Sequence, residues 1–470
     1  MRRAGTLASA RVTPSQSASE LSAPSRFTLI PEAGVKGTTP LLLRVTAFSI
    51  FFFPSSMVID VIGASGTVPI LLCCILLAFW LCSWVWNLHK PIQLRHPGRI
   101  AISFLILGVG ASYGALYGGW SGSATATGLA AADRWLILLA ASTALVLVAS
   151  ECINSMGDML QVLRWLLAGA TFCCIIGVIQ FTLHYNPMEW FQSLMPGFTY
   201  NGGDTPFQAR GNLVRVAGST FHSIEFAVVA GMLLPFSIWR AIFDPKGWQW
   251  FHWLQTTLLV FALASSVSRS GMLSATVALV VFIPFLPKLT RNRVLMVLPF
   301  IIIILFVTIP GFVSTLTDTL FTDTSDPSIA TRVNNYPRVL RMIDAHPLFG
   351  LGPGNYVPAN ALQILDNQYL NGAVTLGLVG LVCLLIYFFI PGLAGIHAAR
   401  HARSPALRCL AGAGAAGLLV AAFLSLTFDS LSFPVFALLY PLLVGLSGAT
   451  WRMVEAESRV VDSMGDSRPR

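Results

Sequence analysis

The sequence predicts an all-α integral membrane protein of about 12 transmembrane helices, or 11 if the first apolar run is not a span. A long extracytoplasmic loop precedes the third-last helix. Three observations predict it. The 470 residues are 55% hydrophobic and only 10% charged, with mean hydropathy +0.72, whereas a water-soluble chain carries about 25% charged residues. About twelve apolar runs come near the roughly 20 residues that one crossing needs. The cations gather in short segments between those runs, where they orient helices.

Residues 1–38 are rich in Ser, Ala, Thr and Pro, carry Arg2, Arg3 and Arg11, and lack the apolar core of a signal peptide. They read as a disordered cytoplasmic tail; an organellar transit peptide has similar composition. A transmembrane bundle follows over 39–312, with runs at 40–60, 67–87, 99–118, 134–151, 160–183, 223–243, 250–267, 271–287 and 294–312. Arg44 and Pro54 interrupt the first. Three further runs, 371–391, 407–427 and 431–450, form the C-terminal helices over 371–450, and 451–470 reads as a cytoplasmic tail. The loops at 88–99, 240–249, 288–293 and 397–408 hold Lys90, Arg95, Arg99, Arg240, Lys246, Lys288, Arg291, Arg293, Arg400, Arg403 and Arg408. All fall on one side with both termini, and the positive-inside rule makes that side the cytoplasm. The outer loop 184–222 and the extracytoplasmic loop 313–370 then face outside.

The net charge of +9 is spread over these topogenic segments. No basic stripe with interleaved aromatics appears, so nucleic acid is not expected as a partner. The eight cysteines lie almost wholly in apolar runs and read as small apolar side chains, not disulfides or metal ligands.

Every lysine lies in the N-terminal tail or a cytoplasmic loop, yet Arg134, Arg210, Arg215, Arg269, Arg332, Arg338 and Arg341 fall outside. Arginine's planar fork binds phosphate oxygens in a bidentate way that lysine cannot. The outer arginines therefore point to an anionic ligand such as a phosphate. The alternative is pairing with Asp204, Asp318, Asp323, Asp326 or Asp344, or with lipid headgroups.

In "ILDNQYLNGAVTLGLVG", 364–380, helical spacing puts Asp366, Ala373, Gly377 and Gly380 on one narrow stripe. Small residues in such a stripe admit a neighbouring helix, so Asp366 is expected on an inward face at the outer surface. It reads as an inward-facing carboxylate at the outer membrane surface, as a helix N-cap, or as both. Upstream, "RVNNYPRVLRMIDAHPLFGLGPGNY", 332–356, predicts a short interfacial helix with Pro337 in its first turn. Val339, Leu340, Met342 and Ile343 form its apolar face, with Arg338 and Arg341 on another. The glycine-rich "HPLFGLGPGN" offers N–H groups to an anion or simply turns the chain. His346 reads as an acid or base, or as a structural hydrogen-bonding group. In "ARGNLVRVAGSTFHSIEFAVVAGMLLP", 209–235, Arg210 and Arg215 precede a helix expected from about Thr220. Glu225 lies inside its apolar run, where an ionisable group is costly; it serves function or pairs with an outer arginine. Arg269 occupies a tight outer turn, "ASSVSRSGMLSA" at 264–275, and points at phosphate or carboxylate. "TFDSLSFP", 427–434, reads as a short outer hairpin whose Asp429 can pair with an arginine. The G-x-S-x-G, P-loop and H-E-x-x-H motifs are all missing.

Together these segments resemble the O-antigen ligase and O-antigen polymerase superfamily. The resemblance rests on Arg215-x-x-Gly218 with Thr220-Phe221, on Ser268-Arg269-Ser270-Gly271, on "HPLFGLGPGN", and on Asn367 followed by nine residues and Gly377-Leu378-Val379-Gly380. Asp366 stands where the ligases have histidine. The resemblance implies a glycosyltransferase on the outer face of a bacterial plasma (inner) membrane, working by inverting transfer without a metal or other cofactor. Its donor would be a glycan on polyprenyl diphosphate and its acceptor a glycan, lipid or protein. Membrane lipids and other polysaccharide assembly proteins are the further partners. Asp366 would be the catalytic base, and Arg210, Arg215, Arg269, Arg332, Arg338, Asn367, His346 and Glu225 would bind substrate. The departure from histidine favours polymerase over ligase. A lipid-linked oligosaccharide flippase or other transporter is the alternative, although matched halves with broken helices are not evident. A scaffolding membrane protein would not need seven outer arginines.

Overall fold

The computed structural model describes residues 39–88, 96–122, 125–202, 207–210, 213–266, 268–308, 327–356, 358 and 363–466. The expected tail at 1–38 lies outside the described residues. The helices are α1 (Leu41–Phe52), α2 (Val68–Val85), α3 (Pro97–Tyr117), α4 (Ala126–Cys152), α5 (Met156–Leu183), α6 (Glu189–Leu194), α7 (Ser223–Phe243), α8 (Gln249–Ser265), α9 (Arg269–Phe282), α10 (Lys288–Thr308), α11 (Pro327–Ala345), α12 (Gln368–His401), α13 (Pro405–Leu424) and α14 (Pro434–Asp466). Two short antiparallel ladders join β1 (Met57–Val58) to β2 (Thr199–Tyr200) and β3 (Gln208–Arg210) to β4 (Leu213–Arg215).

Among the described residues, eight helices are long and apolar enough to cross a membrane: α2, α3, α4, α5, α7, α12, α13 and α14. The expected runs at 40–60 and 271–287 contain shorter apolar helices, α1 and the Arg269–Phe285 segment. Pro54 lies just beyond α1; proline lacks the N–H that a continuing helix needs. The chain then bends into β1. Helices α7, α13 and α14 are buried almost all round and form the centre, while α2 lies at the periphery. Helix α13 is rich in Ala and Gly, which lets its neighbours approach closely: Gly417 sits against Met232 and Phe236 of α7, and Gly395 of α12 meets Ala415.

Tertiary contacts sort the connections into two ends of the bundle. At one end, β1 pairs with β2, and Ser55 N–H donates to the Ser219 carbonyl. At the other, Arg99 pairs with Glu151, Arg164 with Asp244, and Glu457 accepts from the N–H groups of Arg403 and Ser404. Each of these contacts joins segments that the charge pattern assigns to the same side.

The structure corrects several expectations of detail. Helix α7 begins at Ser223, with His222 as its cap, not near Thr220. Helix α11 begins at Pro327, so Pro337 is interior and not in the first turn. Val339, Met342 and Ile343 pack with Leu365 and Val374, but Leu340 is exposed. The C-terminal segment after residue 450 continues α14 to Asp466 instead of leaving the helix.

The glycine stripe is corrected most sharply. Helix α12 starts at Gln368, leaving Asp366 outside it, and its backbone breaks at Gly377 (φ 68°, ψ −172°). The break receives "PLFGLG". Leu351 and Gly352 donate N–H groups to the carbonyls of Val374 and Thr375, while Leu378 and Val379 donate to those of Pro347 and Leu348. Ser112 of α3 donates to the Phe349 and Thr375 carbonyls. A Cβ on Gly377 would lie 2.4 Å from the Leu348 carbonyl, and one on Gly350 would lie 2.5 Å from that of Thr375. Both residues have positive φ, which glycine alone adopts without cost. The N–H groups of Leu351 and Gly352 thus join two backbones and are not open to an anion. Gly380 keeps the expected packing role: a Cβ on Gly108 of α3 would come within 3.2 Å of its Cα.

Candidate functional site

The N-terminal ends of α7, α9, α12 and α14 converge on the hairpin 425–433. Gln368 N–H donates to the Ser425 carbonyl at 2.9 Å, and Gln368 Oε1 accepts from Leu431 N–H at 2.7 Å. Ser270, in the first turn of α9, lies 3.3 Å from Thr427 across their hydroxyls. Glu225 links α7 to α14. Its side chain is fully buried, and its carboxylate accepts from the N–H groups of Phe221, Val435 and Phe436 at 2.8, 2.8 and 2.9 Å. Two of those N–H groups belong to the first turn of α14, which has no intrahelical partner for them. Glu225 therefore acts as a cap supplied from a neighbouring helix.

The N-terminal ends of α12 and α7 are capped by their own preceding residues. Asn367 Oδ1 accepts from Tyr369 and Leu370 N–H, so Asn367, not Asp366, is the N-cap of α12. His222 Nδ1 accepts from Ile224 N–H.

Asp366 is exposed at the mouth of the cluster. Asp429, in the hairpin, lies close enough for Asp366's charge to act on it. One Asp429 oxygen, Oδ2, accepts from Asn371 Nδ2 at 2.7 Å and Ser432 Oγ at 2.5 Å. The other, Oδ1, is buried with no hydrogen-bond partner among the described residues. Burial pushes the Asp429 carboxyl up to about 6, and the neighbouring charge of Asp366 adds to the effect against the two donated hydrogen bonds.

Two arginines lie on elements that meet the hairpin. Arg269 is the first residue of α9, one position before Ser270. Arg215 ends β4 and acts on His222, whose ring lies 6.2 Å from that of Phe433 in the hairpin. Burial first, then the positive charge of Arg215, push His222 down to about 4. The imidazole is therefore neutral at neutral pH and free to accept at the α7 cap.

The remaining expected site residues are more dispersed. Arg338 stacks on Tyr356, 5.6 Å from the ring centre, with Nη1 buried and lacking a hydrogen bond among the described residues. It precedes Val339, which packs on Leu365 beside Asp366. His346 lodges near Gly122 in the α3–α4 connection. The backbone of Arg210 lies in β3, and that of Arg332 in α11.

Asp429, Asn371 and His222 were not singled out as site residues from sequence. Asp429 left a trace, as an acid in a short polar break between two apolar runs. Asn371 and His222 left none, because their roles depend on which helix ends meet.

Residues 256–385 match the family model described as O-antigen ligase. The matched segment runs from α8 into α12 and includes Arg269, Arg338, His346, Asp366, Asn367, Gly377 and Gly380, while Arg215, Glu225 and Asp429 lie outside it. The match supports membership of the O-antigen ligase superfamily. Comparison with curated proteins finds no match.

Proposed function

We propose that this member of the superfamily is a membrane glycosyltransferase that transfers or polymerises glycan units carried on polyprenyl diphosphate, as a polysaccharide polymerase in preference to a ligase. The observation that carries the reading is the pairing of the carboxylates Asp366 and Asp429 at one hairpin, which the elements bearing Arg215 and Arg269 also reach, in a chain whose 256–385 segment matches the O-antigen ligase family model.

Inverting transfer asks for two things at one place. A base must take the proton of the acceptor hydroxyl as its oxygen attacks the anomeric carbon. An electrophilic group must hold the diphosphate that departs with the electrons of the breaking carbon–oxygen bond. The proton goes to the exposed member of the carboxylate pair, Asp366, with the Asp429 carboxylate, held by Asn371 and Ser432, close beside it. Carboxylates serve as bases in inverting glycoside hydrolysis. Arg215 and Arg269 bind the diphosphate through their forks and offset its growing charge. Arg210, Arg332, Arg338 and His346 are proposed to line the path of donor or acceptor. Asn367 and Glu225 contribute by fixing helix ends.

In this reading α1, α8, α9 and α10 complete twelve crossings, both termini are cytoplasmic, and the site faces outward from the bacterial plasma membrane. The test is Asp366→Asn at normal membrane levels, with the length distribution of the surface glycan as the readout. A polymerase defect leaves single repeat units. A ligase defect leaves finished polymer on the carrier and would reverse the stated preference. Wild-type glycan would remove Asp366 from the mechanism, and lipid-linked units trapped in the inner leaflet would favour a flippase.

A further inference from the structure

A second charged site lies at the opposite end of the bundle. Arg164 of α5 grips Asp244 with two hydrogen bonds, from Nε at 2.9 Å and Nη2 at 2.6 Å. Arg240 of α7 donates to the same carboxylate at 3.0 Å and to Gln255 Oε1 at 2.8 Å, and Gln255 in turn donates to Thr171. The Asp244 side chain is fully buried, while the arginines retain 22% and 9% exposure. The charged groups acting on Arg240 are Asp244 and Arg164. Two guanidiniums share one carboxylate, so among the described residues one positive charge has no counterpart in the network.

These arginines line a cavity of about 330 Å³ whose other walls are largely apolar, including Phe48, Phe172, Ile175 and Phe251. Its rim residues Ala168, Ile175 and Phe251 are exposed on the flank of the bundle, so the cavity opens sideways between α5 and α8. Arg164 stands eight residues into α5, about 12 Å along the helix. Arg240 lies in the last turn of α7. Exposed Trp248, Trp250 and Trp253 surround Phe251 on α8, and such aromatics mark the headgroup level of a bilayer. An uncompensated cation at headgroup depth, opening onto an apolar wall that faces lipid tails, is complementary to an anionic amphiphile.

The geometry points to a binding site for one anionic phospholipid, its phosphate on Arg164 and Arg240 and one acyl chain along Phe172 and Ile175. This site is separate from the Asp366 cluster and does not depend on the function proposed for it.

The test uses the full-length protein in detergent, with phosphatidylglycerol, phosphatidylcholine and inorganic phosphate as probes and native mass spectrometry as the readout. One phosphatidylglycerol should bind about 10-fold or more tightly than phosphatidylcholine, as expected for a charge-assisted contact, and excess inorganic phosphate should not displace it. Arg164→Gln and Ala168→Trp should each weaken it about 10-fold. The second fills the mouth while leaving the ion network intact, so it guards against a folding defect. Arg293→Gln removes an exposed cation near the same end and should change nothing. Unchanged binding in Ala168→Trp, equal affinity for the two lipids, or displacement by inorganic phosphate would each overturn the assignment.

Discussion

Asp429 has one oxygen tied by Asn371 and Ser432 and the other left without a hydrogen bond among the described residues. A carboxyl raised to about 6 binds its proton more tightly in the folded chain than in the unfolded one, where about 3.9 is usual. Its contribution therefore favours the fold below about pH 4 and is lost as pH rises through about 6. Two outcomes follow. Asp429→Asn should raise the melting temperature of the purified protein at pH 7.5 by a few degrees, while lowering glycan transfer by about 100-fold or more if the carboxylate helps accept the proton. Wild-type transfer should fall as pH drops below about 6. The arginines are tested by charge-conserving exchange. Arg215→Lys and Arg269→Lys should each reduce turnover by about 10-fold or more, because lysine keeps the charge but cannot present two parallel N–H bonds. Full activity in both variants would remove the diphosphate-fork argument.

Among the elements, the break in α12 matters most. A helix run of this hydropathy would cross a bilayer unbroken if sequence period alone governed it. Instead Gly377 opens it, and the segment after α11 docks into the gap through backbone hydrogen bonds on both sides. The break ties the α11 connection to the same helix whose N-terminus carries Asn367 and Asn371. Gly377→Ala places a side chain in an essentially glycine-only backbone region, φ 68° with ψ −172°, costing about 1–3 kcal/mol, and drives it into the Leu348 carbonyl. It should lower stability by about 2 kcal/mol or more, read as a loss of melting temperature in detergent, and should reduce transfer with no change at Asp366 itself. Charge-carrying elements follow the same logic: Glu225 was conspicuous as an acid inside an apolar run, and its task proved to be capping a different helix.

Across the whole molecule, the topology proposed above, with twelve crossings, puts the hairpin 425–433 and α11 on one face of the membrane and the Arg164–Asp244 network on the other. Single cysteines placed at Ser193 and Leu348, both exposed, in an otherwise cysteine-free chain should react with a membrane-impermeant maleimide applied to intact spheroplasts. One at Asn292, exposed near the opposite end, should react only after the membrane is opened. Labelling of all three from outside would overturn the crossing count proposed for α8 to α10.

The sequence by itself determined the all-helical, multi-span class and the sorting of loops by charge, because both depend on local quantities: run length, residue polarity and the lysine and arginine content of short connections. It also marked Arg215, Arg269 and Asp366, since an ionisable group in an apolar chain is conspicuous wherever it falls. Only the tertiary structure decided that Asn367 and not Asp366 caps α12, that Gly377 opens a helix instead of packing one, and that Asp429 is Asp366's neighbour. The cap is local, but two adjacent residues of capping type stand there and the sequence offers both; the other two outcomes turn on which helix end meets which loop, and such contacts between distant positions leave no period or composition for a single sequence to display.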